Sequence, residues 1–172
     1  MAIWGAMALM GSAAVFAQEA PKGVADQQAL LKSSDPKLAA NKKLVFDMYR
    51  AIVNAGRTDM ADQFFTKEYI QHNPNVKSGR DELVAYIKKT RPVREMTKDV
   101  AFPVITIMAE GDFVTVATVA MIEDTENPGQ KYANTHFDMY RIENGKIAEH
   151  WDHVERSKRA QSFDPNSTSR GK

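Results

Sequence analysis

The spacing of apolar residues changes half-way along the chain, and this change most constrains the fold. Between residues 35 and 89, apolar side chains recur about every three or four positions, as on one face of a helix. Between residues 100 and 154 they fall in segments rich in Val, Ile, Thr and aromatic residues, which are typical of strands. Helices followed by strands favour an α+β domain in which one curved sheet wraps around the helices.

The first half predicts three helices. Asp35 is the N-cap of the first, with proline next to it, and Gly56 ends that run. Asp59 is expected to cap a shorter second helix that carries Phe65. The third helix is predicted over residues 78–89, and the second half then predicts an antiparallel meander of four strands. These strands span residues 100–108, 113–122, 132–142 and 146–154.

One register of the last hairpin follows from a two-residue turn. If Asn144-Gly145 forms the whole turn, Asp138 lies opposite Trp151 and His136 lies opposite His153. In that register, neither pair joins a histidine to an aspartate.

A second register follows from a three-residue turn over residues 143–145 with a bulge. Asp138 then faces His150, and His136 faces Asp152. One sheet face would carry His136, Asp138, Tyr140, Ile142, His150 and Asp152, and the other Phe137, Met139, Ile147 and Trp151. Such a cluster suits proton transfer between side chains, although a solvated polar face would show the same alternation.

A metal centre is the weaker interpretation of these residues. His150 and His153 have a spacing seen among metal ligands, but residues three apart on a strand point to opposite faces. The chain has no cysteine, and therefore no thiol nucleophile or disulfide. We expect no metal and no cofactor.

Composition bears on partners and location. Twenty-three basic against 22 acidic side chains give a net charge of +1, which offers no general attraction for nucleic acid or anionic lipid.

Residues 1–17 carry no charge and end in Val15-Phe16-Ala17, so we interpret them as a signal peptide rather than a stable membrane anchor. Export to the periplasm or medium is expected, with residues 18–34 a linker or loosely held helix, 35–156 the domain and 157–172 a flexible tail.

Several motifs taken together resemble a known family. They are Asn41 to Val45 with Tyr49, Tyr69 to Pro74 (YIQHNP), Phe137 to Ile147 (FDMYRIENGKI) and Glu149 to Asp152 (EHWD). Their order and spacing resemble the SnoaL-like proteins of the nuclear transport factor 2 (NTF2-like) superfamily.

This resemblance implies a cone-shaped, cystatin-like α+β fold, with helices packed inside a strongly curved antiparallel sheet. It also implies a pocket inside the cone and a homodimer formed through the outer sheet face, where Phe137, Met139 and Trp151 would be buried. In polyketide cyclases of the family, an aspartate is the acid/base of a ring-closing aldol reaction without metal, and it corresponds to Asp152.

We therefore expect a cofactor-independent acid/base enzyme, of cyclase, isomerase or dehydratase type, on a small and largely apolar carbonyl or hydroxy compound. The catalytic candidates are Asp152, Asp138 and His150; the substrate-binding candidates are His72, Asn73, His136, Tyr49, Tyr140 and Trp151. A purely structural alternative for His72 and Asn73 is that they cap the turn before Pro74. The alternative for the whole protein is a non-catalytic module that binds a small ligand or dimerises.

Overall fold

The computed structural model describes residues 19–154 of the 172-residue chain. The predicted signal peptide (1–17) and tail (157–172) lie outside these residues and stay predictions. Among the residues described, no helix is long and apolar enough to cross a membrane.

The first helix begins where the sequence predicts. Helix α1 (Pro36–Met48) starts after Asp35, whose carboxylate accepts the backbone N–H groups of Lys37 and Leu38 at 2.7 and 3.3 Å. It continues without a break into a π-helical segment, Tyr49–Asn54, and a left-handed glycine at residue 56 (φ 62°) follows. Buried side chains of these two segments form one side of the core.

The next two helices differ in detail from the prediction. A 3₁₀ turn (Thr58–Met60) leads into α2 (Ala61–Phe64), and α3 spans Arg80–Thr90 after Gly79. The predicted cap at Asp59 is wrong, because that residue lies within the 3₁₀ turn and its carboxylate binds the guanidinium of Arg57.

Five strands form a single sheet. They are β1 (Phe65–Gln71), β2 (Val104–Glu110), β3 (Phe113–Glu123), β4 (Lys131–Glu143) and β5 (Lys146–Asp152), in the order β1-β5-β4-β3-β2. The antiparallel meander β2 to β5 is confirmed. Strand β1 differs from the prediction; it begins at Phe65, which the sequence places on a helix, and pairs in parallel with β5.

Neither predicted register of the last hairpin is correct. Asn144 and Gly145 form a two-residue turn with positive φ at both (51° and 72°), as a type I′ turn requires. The register then shifts between residues 141 and 142, where Ala148 is an extra residue on β5. Beyond this bulge Asp138 pairs with Asp152.

The bulge also corrects the expected position of Ile147. This residue pairs with Ile142 and is fully buried in the core, whereas the second register places it on the outer face. Past the bulge, the side chains of β5 alternate between the two sheet faces as the second register predicts: His150 points inward and Trp151 points outward. Helices therefore cover the inner face of the sheet, and an α+β fold is confirmed.

Residues 19–34, predicted as a linker or loosely held helix, contact the domain. They contain a 3₁₀ helix (Gln27–Leu31), and the side-chain amide of Gln27 donates to the carbonyls of Val100 and Phe102. Leu30 and Leu31 pack against the core.

Candidate active site

A cavity of about 120 Å³ lies between the helices and the inner face of the sheet. Its apolar wall comes mainly from the helical layer, including Met48, Ile52, Leu83 and Ile87. The opposite end is polar and is formed by strands β4 and β5 with the residues that follow β1. An apolar pocket with a few converging polar groups is the usual form of a small-molecule site.

Seven of the nine predicted site residues line this cavity. They are Tyr49, Asn73, His136, Asp138, Tyr140, His150 and Asp152. The other two, His72 and Trp151, do not belong to its lining.

His72 and Trp151 stack on each other at the outer side of the sheet. Their ring centroids are 4.7 Å apart with an interplanar angle of 6°. His72 Nε2 lies 3.1 Å from Oε2 of Glu149, and Oε1 of the same carboxylate accepts from Arg141 at 2.7 Å. Strand β1 continues to Gln71, so His72 turns away from the pocket that its neighbours face.

Asp138 is the centre of the buried polar network. Its Oδ2 accepts the hydroxyl of Tyr49 at 2.5 Å, and that hydroxyl in turn accepts the hydroxyl of Tyr140 at 3.1 Å. Its Oδ1 lies 2.8 Å from His150 Nε2 and 3.3 Å from His136 Nε2. Three side chains thus contact the carboxylate directly, and Tyr140 is joined to it through Tyr49.

This network determines the charge of Asp138. Burial alone would raise the pKa of the carboxyl group, but the hydrogen bonds and charges of His136 and His150 outweigh it, so its pKa lies well below the usual value. The tyrosines behave in the opposite way: burial, and then the charge of Asp138, raise the pKa of Tyr49 well above its usual value. Asp138 is therefore an anion with neutral hydroxyl donors around it.

The ring of His150 is held between two polar groups. The Oε1 atom of Gln71 accepts the backbone N–H of Asn73 at 3.0 Å, and a backbone N–H can only donate. His150 Nδ1 lies 2.9 Å from this oxygen, and His150 Nε2 lies 2.8 Å from Oδ1 of Asp138.

Asp152 is the more accessible of the two carboxylates. It pairs directly with Asp138 across β4 and β5 but is only partly buried. Its Oδ2 accepts the Asn73 amide at 2.7 Å, and its Oδ1 accepts the Val154 backbone N–H at 3.1 Å. A carboxylate oxygen can accept more than one hydrogen bond, so Asp152 has room for a substrate proton.

The same residues include types that bind metals. Ligand atoms of Asp138, His150 and Asp152 all lie within 4.8 Å of one another. In the geometry described, the short contact between His150 and Asp138 is a hydrogen bond. His153, the other half of the predicted spacing, lies after the end of β5 with its ring 4.6 Å from that of His136. The absence of a metal therefore stays a prediction.

Two pocket residues, Tyr69 and Gln71, are not among the candidates that the sequence provides. Both lie on β1, two positions apart, so their side chains share the inner face. The aromatic residues Phe65 and Tyr69 lie four positions apart, which fits one face of a helix as well as one face of a strand, and the polar Thr66, Lys67 and Glu68 between them obscured the strand.

Comparison with known proteins assigns the chain to a family. The family model described as SnoaL-like polyketide cyclase matches residues 43–161, more than half of the chain. The chain belongs to the SnoaL-like polyketide cyclase family. Family membership supports a function of the cyclase or isomerase type. A comparison with curated protein sequences gave no significant match.

Solved structures similar to this SnoaL-like protein share little sequence with it. TsrD from Streptomyces laurentii is 23% identical, with 70% of this chain and 90% of that chain covered and a TM-score of 0.46. A protein of unknown function with a cystatin-like fold from Xanthomonas campestris is 19% identical, with coverages of 73% and 95% and a TM-score of 0.47. An NTF2-like protein of unknown function from Burkholderia pseudomallei K96243 is 14% identical, with coverages of 67% and 91% and a TM-score of 0.48.

Proposed function

We propose that this SnoaL-like protein is an acid/base enzyme that uses its own side chains to act on a small, largely apolar carbonyl or hydroxy compound. The reaction would be of aldol (cyclase), isomerase or dehydratase type. The observation that carries the proposal is the position of Asp152, a partly accessible carboxylate at the polar end of an apolar cavity, beside the hydrogen-bonded pair of Asp138 and His150.

Asp152 is the general acid/base in this proposal. It removes a proton from the carbon next to a carbonyl group, which leaves an enolate, and the neutral carboxyl group returns the proton at another position. Asn73 and the backbone of Val154 hold the carboxylate in one orientation. Asp138 is not suited to this role, because its hydrogen bonds favour its ionised form and occupy both oxygens.

Asp138 and His150 instead order the polar end of the site. The ring of His150 is held between Asp138 and Gln71, with one ring nitrogen 2.8 Å from Asp138 and the other 2.9 Å from Gln71. Polar groups fixed in this way do not have to reorganise when charge forms on a substrate oxygen beside them. Asp138 in turn fixes the orientation of His150.

The size of the cavity limits the substrate. About 120 Å³ is close to the roughly 150 Å³ of a cavity that holds one benzene molecule. The mostly aliphatic and aromatic wall favours a compound with few polar groups. A compact molecule of about one ring fits these dimensions better than a fused polycycle.

Exchange of carbon-bound protons tests this function and does not require the product to be identified. A panel of single-ring and short-chain ketones is incubated with the protein in D₂O, and loss of the α-proton signal is followed by NMR. The protein should accelerate exchange for at least one ketone, and Asp152→Asn should reduce that rate by about 100-fold or more. The control is Asp62→Asn, the same change at an exposed site on α2.

Two results would count against an enzyme. Exchange at the solvent rate for every ketone would remove the proposal. Ketone binding that persists in Asp152→Asn without any exchange in either protein would instead favour the alternative, a module that only holds a small ligand.

We also propose export and homodimerisation. Support for export comes from the uncharged, Ala-rich residues 1–17. Support for a homodimer through the sheet comes from exposed apolar side chains on the outer face, namely Met108, Phe113, Met121 and Phe137.

A further inference from the structure

The hydroxyl group of Tyr69 has a hydrogen that the described protein atoms do not use. Tyr69 is 2% exposed and lines the cavity. Within residues 19–154 its hydroxyl has one hydrogen-bond partner, the side-chain amide nitrogen of Gln71 at 3.1 Å. An amide nitrogen only donates, so this bond uses the oxygen of Tyr69 as acceptor and leaves its hydrogen for another group.

The direction of that bond depends on neighbours of Gln71. The backbone N–H of Asn73 donates to Gln71 Oε1, which identifies the other end of the amide as the NH₂ group. Gln71 therefore cannot rotate by 180° without losing the bond from Asn73, and Tyr69 stays an acceptor toward Gln71 with its own hydrogen left for a group in the cavity.

Electrostatics keep Tyr69 in its neutral, donating form. Burial raises the pKa of its hydroxyl well above the usual value, and the charges of Asp138 and Asp152 raise it further. The bond to Gln71, whose amide oxygen contacts His150, places this hydroxyl at the polar end of the cavity. A buried hydroxyl without an acceptor is unfavourable, so a ligand oxygen that enters the cavity gains this hydrogen bond.

We infer that Tyr69, oriented by Gln71, donates a hydrogen bond to the carbonyl oxygen of a compact, single-ring ketone and to the enolate oxygen formed from it. This inference rests on the proposed function and names its substrate class. Tyr69 is then a catalytic residue that contacts the reacting oxygen, Asp152 is the base that takes the proton, and Gln71 is a positioning residue. The hydrogen bond strengthens as charge develops on the oxygen, which favours the enolate over the ketone.

Carbonyl-labelled cyclohexanone is a suitable probe, because it has about the size of the cavity and an oxygen that only accepts. The carbonyl ¹³C signal of the bound ketone is compared in the wild type and in Tyr69→Phe, which keeps the ring and its contact with Phe65. We expect a downfield shift on binding to the wild type that is lost in the variant. Affinity should fall about tenfold, the effect of one buried hydrogen bond.

Two controls separate this hydrogen bond from general damage to the pocket. Methylcyclohexane has a similar shape and no oxygen, so Tyr69→Phe should not weaken its binding. Tyr132→Phe makes the same change at an exposed tyrosine and should leave both the shift and the affinity as in the wild type. Gln71→Met, which removes the orienting amide, should reduce the shift of bound cyclohexanone.

The kinetics provide a second readout. For a ketone that exchanges its α-protons, Tyr69→Phe should lower kcat by about 100-fold, with a much smaller change in KM. If Tyr69→Phe leaves the carbonyl shift and the exchange rate unchanged while exchange still depends on Asp152, the inferred role of Tyr69 is overturned and the proposed function is not. No binding of cyclohexanone and no exchange of any ketone in the wild type would remove both this inference and the proposed function.

Discussion

At the scale of single residues, two aspartates that face each other have different roles because their surroundings differ. Asp138 lies in a nearly closed shell of donors, whereas Asp152 is partly accessible and is bound by one amide and one backbone N–H. The chemical group is the same in both. The number of donors and the degree of burial make one a structural anion and leave the other available for a substrate.

Asp138→Asn should lower the free energy of unfolding by about 3 kcal/mol, because it removes the buried carboxylate that binds Tyr49, His136 and His150. The folded pKa of Asp138 is lowered, so its contribution is fully present above the unfolded value of about 3.9 and is lost as pH falls toward the folded value. The difference between wild type and variant should thus be constant above about pH 4 and shrink below it. Urea denaturation at several pH values measures this.

Asp152→Asn provides the comparison for that result. The variant keeps an acceptor for the Val154 N–H, so its stability should stay close to that of the wild type or rise slightly, as is common when a functional carboxylate is removed. Equal losses in both variants would show that the two aspartates have the same structural role, contrary to the site described.

At the scale of elements, one turn and one bulge together position the catalytic strand. The turn at Asn144-Gly145 joins β4 to β5, and Ala148 then shifts the pairing by one residue. If Ala148 were paired as a regular strand residue instead of forming a bulge, His150 and Asp152 would point to the outer face and Trp151 into the pocket, because neighbouring strand residues alternate. The active site therefore depends on a bulge at a residue that has no chemical role in it.

Gly145→Ala should destabilise the protein by about 1 kcal/mol, because a side chain at φ 72° is strained. Asn144→Gly is the matched control; it removes a side chain at the other left-handed position of the turn and should be neutral or stabilising. Thermal unfolding of both variants measures the difference. A loss for Asn144→Gly as large as for Gly145→Ala would mean that the side chain of Asn144, and not backbone strain, stabilises the turn.

At the scale of the whole molecule, the sheet has two faces with different surroundings. The inner face packs against the helices and contains the cavity. The outer face exposes apolar side chains, and Phe137 in its middle is 50% exposed. Such a surface is a favourable contact for a second copy of the chain.

Phe137→Glu should convert the proposed homodimer to a monomer, since it places a charge in the centre of the apolar contact. Val93→Glu makes the same kind of change at a more exposed residue outside the sheet, and it should leave the dimer intact. Sedimentation velocity at several protein concentrations distinguishes the two states. A wild type that is monomeric at all concentrations would contradict the proposal.

By itself, the sequence determined the order of the elements: α1 from its Asp35 cap and helical spacing, the meander from its alternation and turns, and the family from motifs with matching spacing. These are local properties, set by backbone preferences of neighbouring residues, and they can be inferred from neighbours alone. The sequence also indicated which histidines and aspartates would meet, since most of them lie on two adjacent strands.

Only the tertiary structure decided how those residues meet. Strand β1 is a strand because β5 provides its hydrogen-bond partners, and its polar central residues gave no local signal. The bulge at Ala148 pairs Asp138 with Asp152, and the amide of Gln71 contacts His150 and determines the direction of its bond with the Tyr69 hydroxyl. These features depend on contacts between residues distant in the chain, so spacing along the sequence does not contain them.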